Sequence, residues 1–393
     1  MIHLFINALA ASAGGGLTYI RNVIPQLSAR KDVRSTVLLD TRLGHELQEF
    51  SNINFLEREL LASTALRFLA EQRAAPGLIR QCRADVLLST GNFAVLNSPV
   101  PQILLSRNSL YTSRDFFRDL RDRGDYRLWL DTQVKSEFAR WSVQAADAVV
   151  APSEAFAEEL RRWSGKRVVA LHHGFDREVF VRDSSPLPQN QQAKVDHVLD
   201  SFRLLFVSHY NYYRNFETVI RALPLIKRRL APQRVVLLLT CDLVSNANPG
   251  SYRADDAAEL VRALGLTDNV VELGTVAYGQ LHQLYRAAHC YVSPAYAESF
   301  AHPLVEAMSS GLPVVASDLA VHREICGDAA LYFARFSPQE LAERVAEVAF
   351  NPGVAKKMSS AGIERSRGFS WKVHVDGIVE LGKKLIARHG AQG

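Results

Sequence analysis

Tyr291 to Ser317 reads YVSPAYAESFAHPLVEAMSSGLPVVAS, and the order of elements within it decides how the rest of the chain is read. An apolar strand comes first, then a loop carrying Glu298, a helix carrying Glu306, and a second buried strand at Val314–Ser317. Pro303 suits the first helical position, where no amide donor is needed. Gly311 suits a left-handed helix end, and Pro313 prevents further winding. The helix start thus faces the carboxyl end of a strand, where open α/β sheets bind ligands. Its unpaired amides favour an anion. Carboxylates accept hydrogen bonds only, and vicinal hydroxyls are good donors. Two acids beside a helix start therefore suit a ligand with hydroxyls and a phosphate, such as a sugar nucleotide. Either glutamate alone reads as a helix cap or a solvated surface residue; the whole string carries the functional reading.

Outward from this stretch, apolar runs alternate with helical patterns. Strands are expected at Ile2–Ile6, Thr36–Leu39, Val86–Thr90, Ile103–Ser106, Ala148–Ala151 and Val168–Leu171 in the first half. The second half offers Leu204–Val207, Val235–Thr240, Val270–Leu273, Cys290–Pro294, Val314–Ser317 and Leu331–Phe333. Continuous Val, Leu and Ile mark strands buried on both faces, as parallel sheets require. Their alternation with helices marks βαβ units. Ser337, Pro338 and Glu340 form a capping box, and Ser153 and Gly165 bracket another helix. Leu130, Val134, Phe138, Trp141 and Ala145 line one side of a further helix and read as a core face.

Between Arg182 and Val195 the composition turns to Ser, Pro, Gln and Asn, which are poor core formers. The expected organisation is an N-terminal α/β domain over 1–181, a linker over 182–200, a C-terminal α/β domain over 201–370 and a final helix over 371–393 that packs on either half. A chain of 393 residues is long enough for two such cores.

The net charge of +5 suits anionic ligands, but no basic stripe or nucleic-acid motif accompanies it, so no nucleic-acid partner is expected. Cys82, Cys241, Cys290 and Cys326 lack metal-type spacing and fit a reducing cytoplasm. His172 and His173 have no third ligand at recognisable spacing, so no metal is expected. Leu4–Ala13 ends in Ala11-Ser12-Ala13, which mimics a cleavage site, yet no Lys or Arg precedes it; Ile2–Ile6 is read instead as the first strand. No apolar stretch is long enough to span a membrane.

The second half resembles a family 4 glycosyltransferase. The resemblance rests on the Glu-x7-Glu string from Ala297 to Met308, on Leu273-Gly274, Leu284-Tyr285 and Ala287-Ala288 before it, and on Pro313 to Ser317, Glu324 and Gly327 to Ala330 after it. Ala151-Pro152-Ser153 and Gly174-Phe175-Asp176 with Phe180 resemble the family's interdomain segment. This implies two Rossmann-like doubly wound domains facing across a cleft, the GT-B arrangement. It also implies roles. Glu298 is similar to the acid that contacts donor-sugar hydroxyls, and Glu306 to the acid that contacts the nucleotide ribose. Backbone around Phe300, Ala301 and His302 would hold the sugar and phosphate region.

The chain departs from the family's pattern in places. Where relatives carry Gly-Arg and then a Lys five residues beyond the Arg, this chain has Ser208-His209 and Arg214. Arg214 keeps a permanent charge and can bind phosphate oxygens in bidentate fashion. His209 is cationic only if its pKa rises. Ala301 stands where Gly is usual, and its methyl group excludes left-handed torsions and keeps a ligand at a distance. Near the family's first-domain His stand Arg107 and Asn108; Asn108 is the candidate, with a turn-forming asparagine as the alternative. Gly14, Gly15 and Gly16 follow the first strand, and Gly15 and Gly16 are taken as donor-binding; a merely tight turn is the alternative. The segment Tyr111 to Trp129 mixes arginines with aromatics and could dock on anionic lipid, although four aspartates dilute its charge.

The expected function is a retaining, metal-independent transfer of sugar from a nucleoside diphosphate sugar to an acceptor hydroxyl on a glycan, lipid-linked or small-molecule acceptor. Glu298, Arg214 and Asn108 are the candidate catalytic residues. No cofactor is expected. The location expected is the cytoplasm, with peripheral contact at the inner face of the membrane left open. A sugar-nucleotide epimerase and a non-catalytic sugar-nucleotide-binding scaffold stand as alternatives.

Overall fold

A computed structural model describes the chain except for residues 12–13, 48–49, 51, 60–63, 251 and 392–393, and the side chains of 14, 44–46 and 64–65. The cleavage-site mimic at 11–13 therefore lies largely outside the described residues.

The chain divides into two compact units. The first comprises Met1–Thr112, Leu130–Gly174 and Ser370–Gly393; the second comprises Ser113–Trp129 and Phe175–Phe369. The first unit holds strands β1 (Ile2–Asn7), β2 (Val33–Asp40), β3 (Ile53–Arg58), β4 (Val86–Ser89), β5 (Gln102–Leu105), β6 (Ala148–Ala151) and β7 (Val168–Ala170). They form one parallel sheet in the order β3-β2-β1-β4-β5-β6-β7. The second unit holds β8 (Phe202–Phe206), β9 (Val235–Leu239), β10 (Val270–Glu272), β11 (Cys290–Ser293), β12 (Val314–Ser317) and β13 (Ala330–Phe333), in the order β10-β9-β8-β11-β12-β13 and again parallel.

Every strand expected from the apolar runs is present. β3 was not anticipated. It is an edge strand, mostly half-exposed, and its sequence INFLER carries too many polar residues to read as a doubly buried strand. The interior strands are covered on both faces. In β1, Leu4 and Ile6 join a core with Trp371, Val375 and Ile378 of the helix Trp371–Gly390, while Phe5 joins Ala75 and Ile79 of the helix Thr64–Cys82. The C-terminal helix thus packs on the first unit.

The caps follow their chemistry. Ser153 accepts from Phe156 N–H at 3.2 Å, and Gly165 closes that helix at φ 71°. Ser337 accepts from Glu340 N–H, also at 3.2 Å, but the Glu340 carboxylate reaches back to Ala334 N–H rather than to Ser337, so the box is not reciprocal. Within 182–200 the residues Gln189–Asp196 form a helix, and Gln191 donates to the carbonyls of Leu273 and Thr275, both at 3.0 Å.

One expectation about the region 111–145 is corrected. In the helix Tyr126–Ala145 the buried side consists of Thr132, Ser136, Ala139, Ser142 and Val143. The stripe taken as core is outside: Leu130 is 60% exposed and Trp141 57%. Small residues let this helix approach its neighbours closely, and the large apolar side chains are left on the far side. Of the segment Tyr111–Trp129, read as a candidate for lipid contact, residues Ser113–Trp129 belong to the second unit and pair with its side chains. Phe116 and Leu120 are buried. Asp115 pairs with Arg335 at 2.6 Å, Asp119 accepts from Tyr296 Oη at 2.6 Å, and Arg123 pairs with Glu217 at 3.0 Å while lying 4.2 Å from the Tyr212 ring centroid. Arg114, Arg118, Arg121, Tyr126 and Arg127 remain exposed.

Candidate active site

In the six-stranded sheet the strand order reverses between β8 and β11. A crevice at such a switch point is where doubly wound sheets take ligands. The loops after these two strands carry Arg214 and Glu298.

The loop after β8 is built by asparagines. Asn211 Oδ1 accepts from Arg214 N–H at 3.1 Å, which turns Tyr212–Arg214 into a short 3₁₀ helix. Asn215 follows at φ 58° and donates from Nδ2 to the carbonyls of Pro294 (3.0 Å) and Arg335 (2.7 Å). Asparagine tolerates this left-handed conformation. Tyr296 N–H donates to the Tyr213 carbonyl at 2.9 Å, so the two loops are laced together.

Arg214 Nη1 donates to Glu298 Oε2, and both side chains are largely buried. Burial pushes the Glu298 carboxyl up, but Arg214, then His322 and the Ser299 N–H (3.1 Å), hold it below the ordinary range. Burial lowers the Arg214 pKa, and Glu298 more than offsets this, so the guanidinium stays charged. Its Nε–H is buried without a partner.

Glu306 lies inside the helix His302–Ser309 and is 4% exposed. Its Oε2 accepts from Tyr285 Oη at 2.8 Å. Burial pushes its carboxyl up to about 7, with the Tyr285 bond opposing. Tyr291 is buried and lies within electrostatic range of Arg214, Glu298 and Glu306 together. Arg214 and Glu298 are thus in direct contact, and Glu306 holds Tyr285, whose ring lies 5.7 Å from that of Tyr291.

The backbone between the acids differs from expectation. Ala301 adopts φ 69°, ψ 60°, the left-handed conformation that its methyl group was expected to exclude. It precedes the helix without a side-chain cap, and the Leu304 N–H reaches its carbonyl at 3.0 Å. The helix begins at His302, so Pro303 is its second residue. Phe300 is buried, edge-on to Phe369 at 5.5 Å and 4.8 Å from the His302 ring. His209 is exposed, and partial desolvation, then the charge of Arg214, hold it below its ordinary pKa.

Sequence reasoning missed His322. It is fully buried; Nδ1 lies 2.9 Å from the Ser317 carbonyl, and Nε2 has no partner. Burial pushes its pKa down to about 4, against the pull of nearby Glu298. Its position only one helix start beyond β12 was the available signal.

In the first unit, Asn108 is a turn former. Its Oδ1 accepts from Leu110 N–H at 3.1 Å and caps the 3₁₀ turn Ser109–Tyr111. Gly15 and Gly16 lie in the first turn of the helix Gly14–Ser28. Arg107, beside Asn108, donates to the carbonyl of Gly15 at 2.7 Å. Among the described residues, no group of three His, Cys, Asp or Glu side chains is placed to hold a metal ion, and no helix is long and apolar enough to cross a membrane.

Comparison with known proteins bears on both halves. The chain is 28% identical over 239 residues to a D-inositol 3-phosphate glycosyltransferase of Kribbella flavida, and 26% identical over 263 residues to one of Kineococcus radiotolerans. These stretches take in 59% and 64% of this chain but only 55% and 60% of the two relatives. In fold the chain is similar to a sucrose-phosphate synthase from Thermosynechococcus elongatus, with a TM-score of 0.74 at 18% identity over 99% of this chain and 100% of that one. It is also similar to Anabaena HepE, solved in complex with UDP, with a TM-score of 0.71 at 20% identity over 98% and 100%. The parallel sheets of seven and six strands are those of the GT-B class. A family model described as Glycosyl transferases group 1 matches residues 189–365, and one described as Glycosyltransferase Family 4 matches residues 13–179. With both halves matched in this order, the chain belongs to glycosyltransferase family 4.

Proposed function

We propose that this chain is a retaining glycosyltransferase that moves a sugar from a nucleoside diphosphate sugar to an acceptor hydroxyl without a metal. The observation that carries this reading is the buried Arg214–Glu298 pair in the loops at the switch point of the second sheet, with Glu306 buried in the helix that follows. Glu306 accepts from the ribose hydroxyls and Glu298 from the sugar hydroxyls. Arg214 spends one N–H on Glu298 and keeps further donors for the diphosphate. The relatives named as glycosyltransferases support sugar transfer, and neighbours solved with UDP and UDP-glucose support the donor class.

The bond between the anomeric carbon and the diphosphate oxygen breaks, and its electron pair leaves with the diphosphate. Arg214 opposes the charge that develops there. The acceptor oxygen bonds to the anomeric carbon on the same face, and its proton passes to the departing diphosphate. No side chain need be a nucleophile. His209 is held neutral by its surroundings, so it acts as a hydrogen-bond donor unless the diphosphate raises its pKa.

Incubation with UDP, GDP, ADP and dTDP sugars tests the reading. Transfer or slow donor hydrolysis supports it. Interconversion of donors points to an epimerase, and binding without turnover to a scaffold. The division of labour is checked with the nucleotide so found. Glu306→Ala should weaken the bare nucleoside diphosphate at least tenfold by calorimetry. Glu298→Gln should keep that affinity within about twofold and lower turnover about a hundredfold, the usual scale for one transition-state contact. Equal loss of affinity in both variants would refute the assignment.

A further inference from the structure

The helix Arg114–Asp122 lies in sequence between Thr112 and Leu130 of the first unit, yet it folds as part of the second. Ser113 caps its start, accepting from Phe116 N–H at 3.2 Å. Asp115, Asp119 and Arg123 follow one another at four-residue spacing, which places them on one face. Beside them Phe116 and Leu120 are buried, and the Phe116 ring stands edge-on to Tyr213 at 6.3 Å. Each of the three charges reaches a segment next to Arg214 or Glu298.

Asp119 reaches the loop after β11. Its Oδ2 accepts from the hydroxyl of Tyr296 at 2.6 Å, and Tyr296 precedes Glu298 by one residue. Its Oδ1 accepts from Arg123 Nε at 2.8 Å. Arg123 reaches the other side. Its Nη1 pairs with Glu217 at 3.0 Å, in the first turn of the helix that follows Arg214. Its guanidinium also lies 4.2 Å from the ring centroid of Tyr212, in the 3₁₀ turn that ends at Arg214. Glu217 accepts in addition from the Tyr210 hydroxyl at 2.8 Å. Asp115 adds a third tie: it holds Arg335, whose carbonyl accepts from Asn215 Nδ2 at 2.7 Å. One carboxylate and one guanidinium thus bridge the two loops. The side chains of Asp119, Arg123 and Glu217 are only 21%, 17% and 18% exposed, so little water competes for these charge-assisted bonds.

We propose that Asp119 and Arg123 are positioning residues, which brace the loop carrying Glu298 against the loop carrying Arg214 and so set the geometry of that pair. They act through Tyr296, Tyr212 and Glu217. A small misplacement of groups that meet the transition state costs rate steeply, so the brace matters more for turnover than for binding. Glu306 is held separately, by Tyr285. The effect on turnover rests on the sugar-transfer reading; the brace on the two loops does not.

Two variants of the full chain test this. Asp119→Asn has one acceptor oxygen where two are in use, so one bond of the bridge goes. Tyr296→Phe removes only a hydroxyl and keeps the ring, which packs 5.4 Å from Phe336. Hydrogen–deuterium exchange read by peptide mass compares both with wild type. Peptides covering 208–217 and 294–300 should exchange at least fivefold faster, while those covering β9 and β12 keep their rates. Unchanged exchange in the two loops overturns the brace. So does faster exchange throughout the second unit, which would make these groups plain stabilisers. Kinetics with the donor found above give the second reading. Asp119→Asn should lower kcat at least tenfold and leave the donor KM within about threefold. In a Glu298→Gln background the same substitution should cost less than twofold, because its effect runs through Glu298. Equal losses in the two backgrounds overturn the positioning role. Should Asp119→Asn not fold, Tyr296→Phe is carried through both measurements with the same expectations. Faster loop exchange in a chain that transfers no sugar sinks the sugar-transfer reading and leaves the brace standing.

Discussion

Glu306 combines near-complete burial with a single hydroxyl partner, and the balance of those two effects sets how it responds to pH. Its carboxyl, ordinarily at 4.5, is pushed up to about 7. The folded chain therefore holds that proton more tightly than the unfolded chain. The stability so contributed is whole below pH 4.5 and is lost as the pH climbs through 7. A shift of this size corresponds to about 3 kcal/mol. Glu306→Gln keeps an acceptor for Tyr285 but cannot ionise. Its melting temperature should pull ahead of wild type as the pH is raised from 5 to 8; parallel curves would show that Glu306 titrates normally. Ala301 stores energy of another kind. A left-handed alanine costs about 1–2 kcal/mol, and Ala301→Gly relieves this while adding about 0.4–1 kcal/mol of unfolded-chain entropy. The net expectation is a gain of about 0.5 kcal/mol in urea unfolding. A clear loss would mean that packing of the buried methyl outweighs the strained torsion.

At the scale of elements, the helix Tyr126–Ala145 carries the sharpest consequence. Its large apolar side chains are outside and its small polar ones inside. Leu130→Ser and Trp141→Ser should therefore each change unfolding free energy by no more than about 0.5 kcal/mol, the range of exposed substitutions. A loss of 2 kcal/mol or more would restore the stripe to the core. Periodicity located this helix but could not orient it, because hydrophobicity states a preference for burial and not which neighbour is near. Doubly buried strands were legible for the opposite reason: a run such as Val235–Leu239 has no polar face to leave outside. β3 was lost because an edge strand needs only one apolar face. In the site, Glu298 and Glu306 could be named together because one loop and one helix hold them. That Arg214 grips Glu298 depends on Asn215 lacing two loops far apart in sequence. The buried state of His322 is a fact of packing, which no spacing encodes.

The whole molecule turns on where the chain passes between its units. Gly174 and Ser370 stand at two of those passages. A Cβ on Gly174 would lie 2.0 Å from the backbone nitrogen of Trp371, and in the second unit Phe175 N–H donates to the Phe369 carbonyl at 3.1 Å. The outgoing and returning chains thus run side by side. The obstacle to a methyl group is backbone, which has no rotamer to change. Gly174→Ala should cost about 3 kcal/mol or more and sharply reduce soluble protein, as overpacking against fixed atoms does. Unfolding at the wild-type urea midpoint would show that the returning chain yields.

The other two passages enclose Ser113–Trp129, whose Asp115 and Asp119 hold Arg335 and Tyr296 across a long stretch of intervening gene. Anyone splicing this chain with a relative at one breakpoint near Gly174 would leave those aspartates behind and import strangers for them to greet. A recombinant that keeps the second unit whole must therefore carry two separate segments, the short one lying within the first half of the sequence.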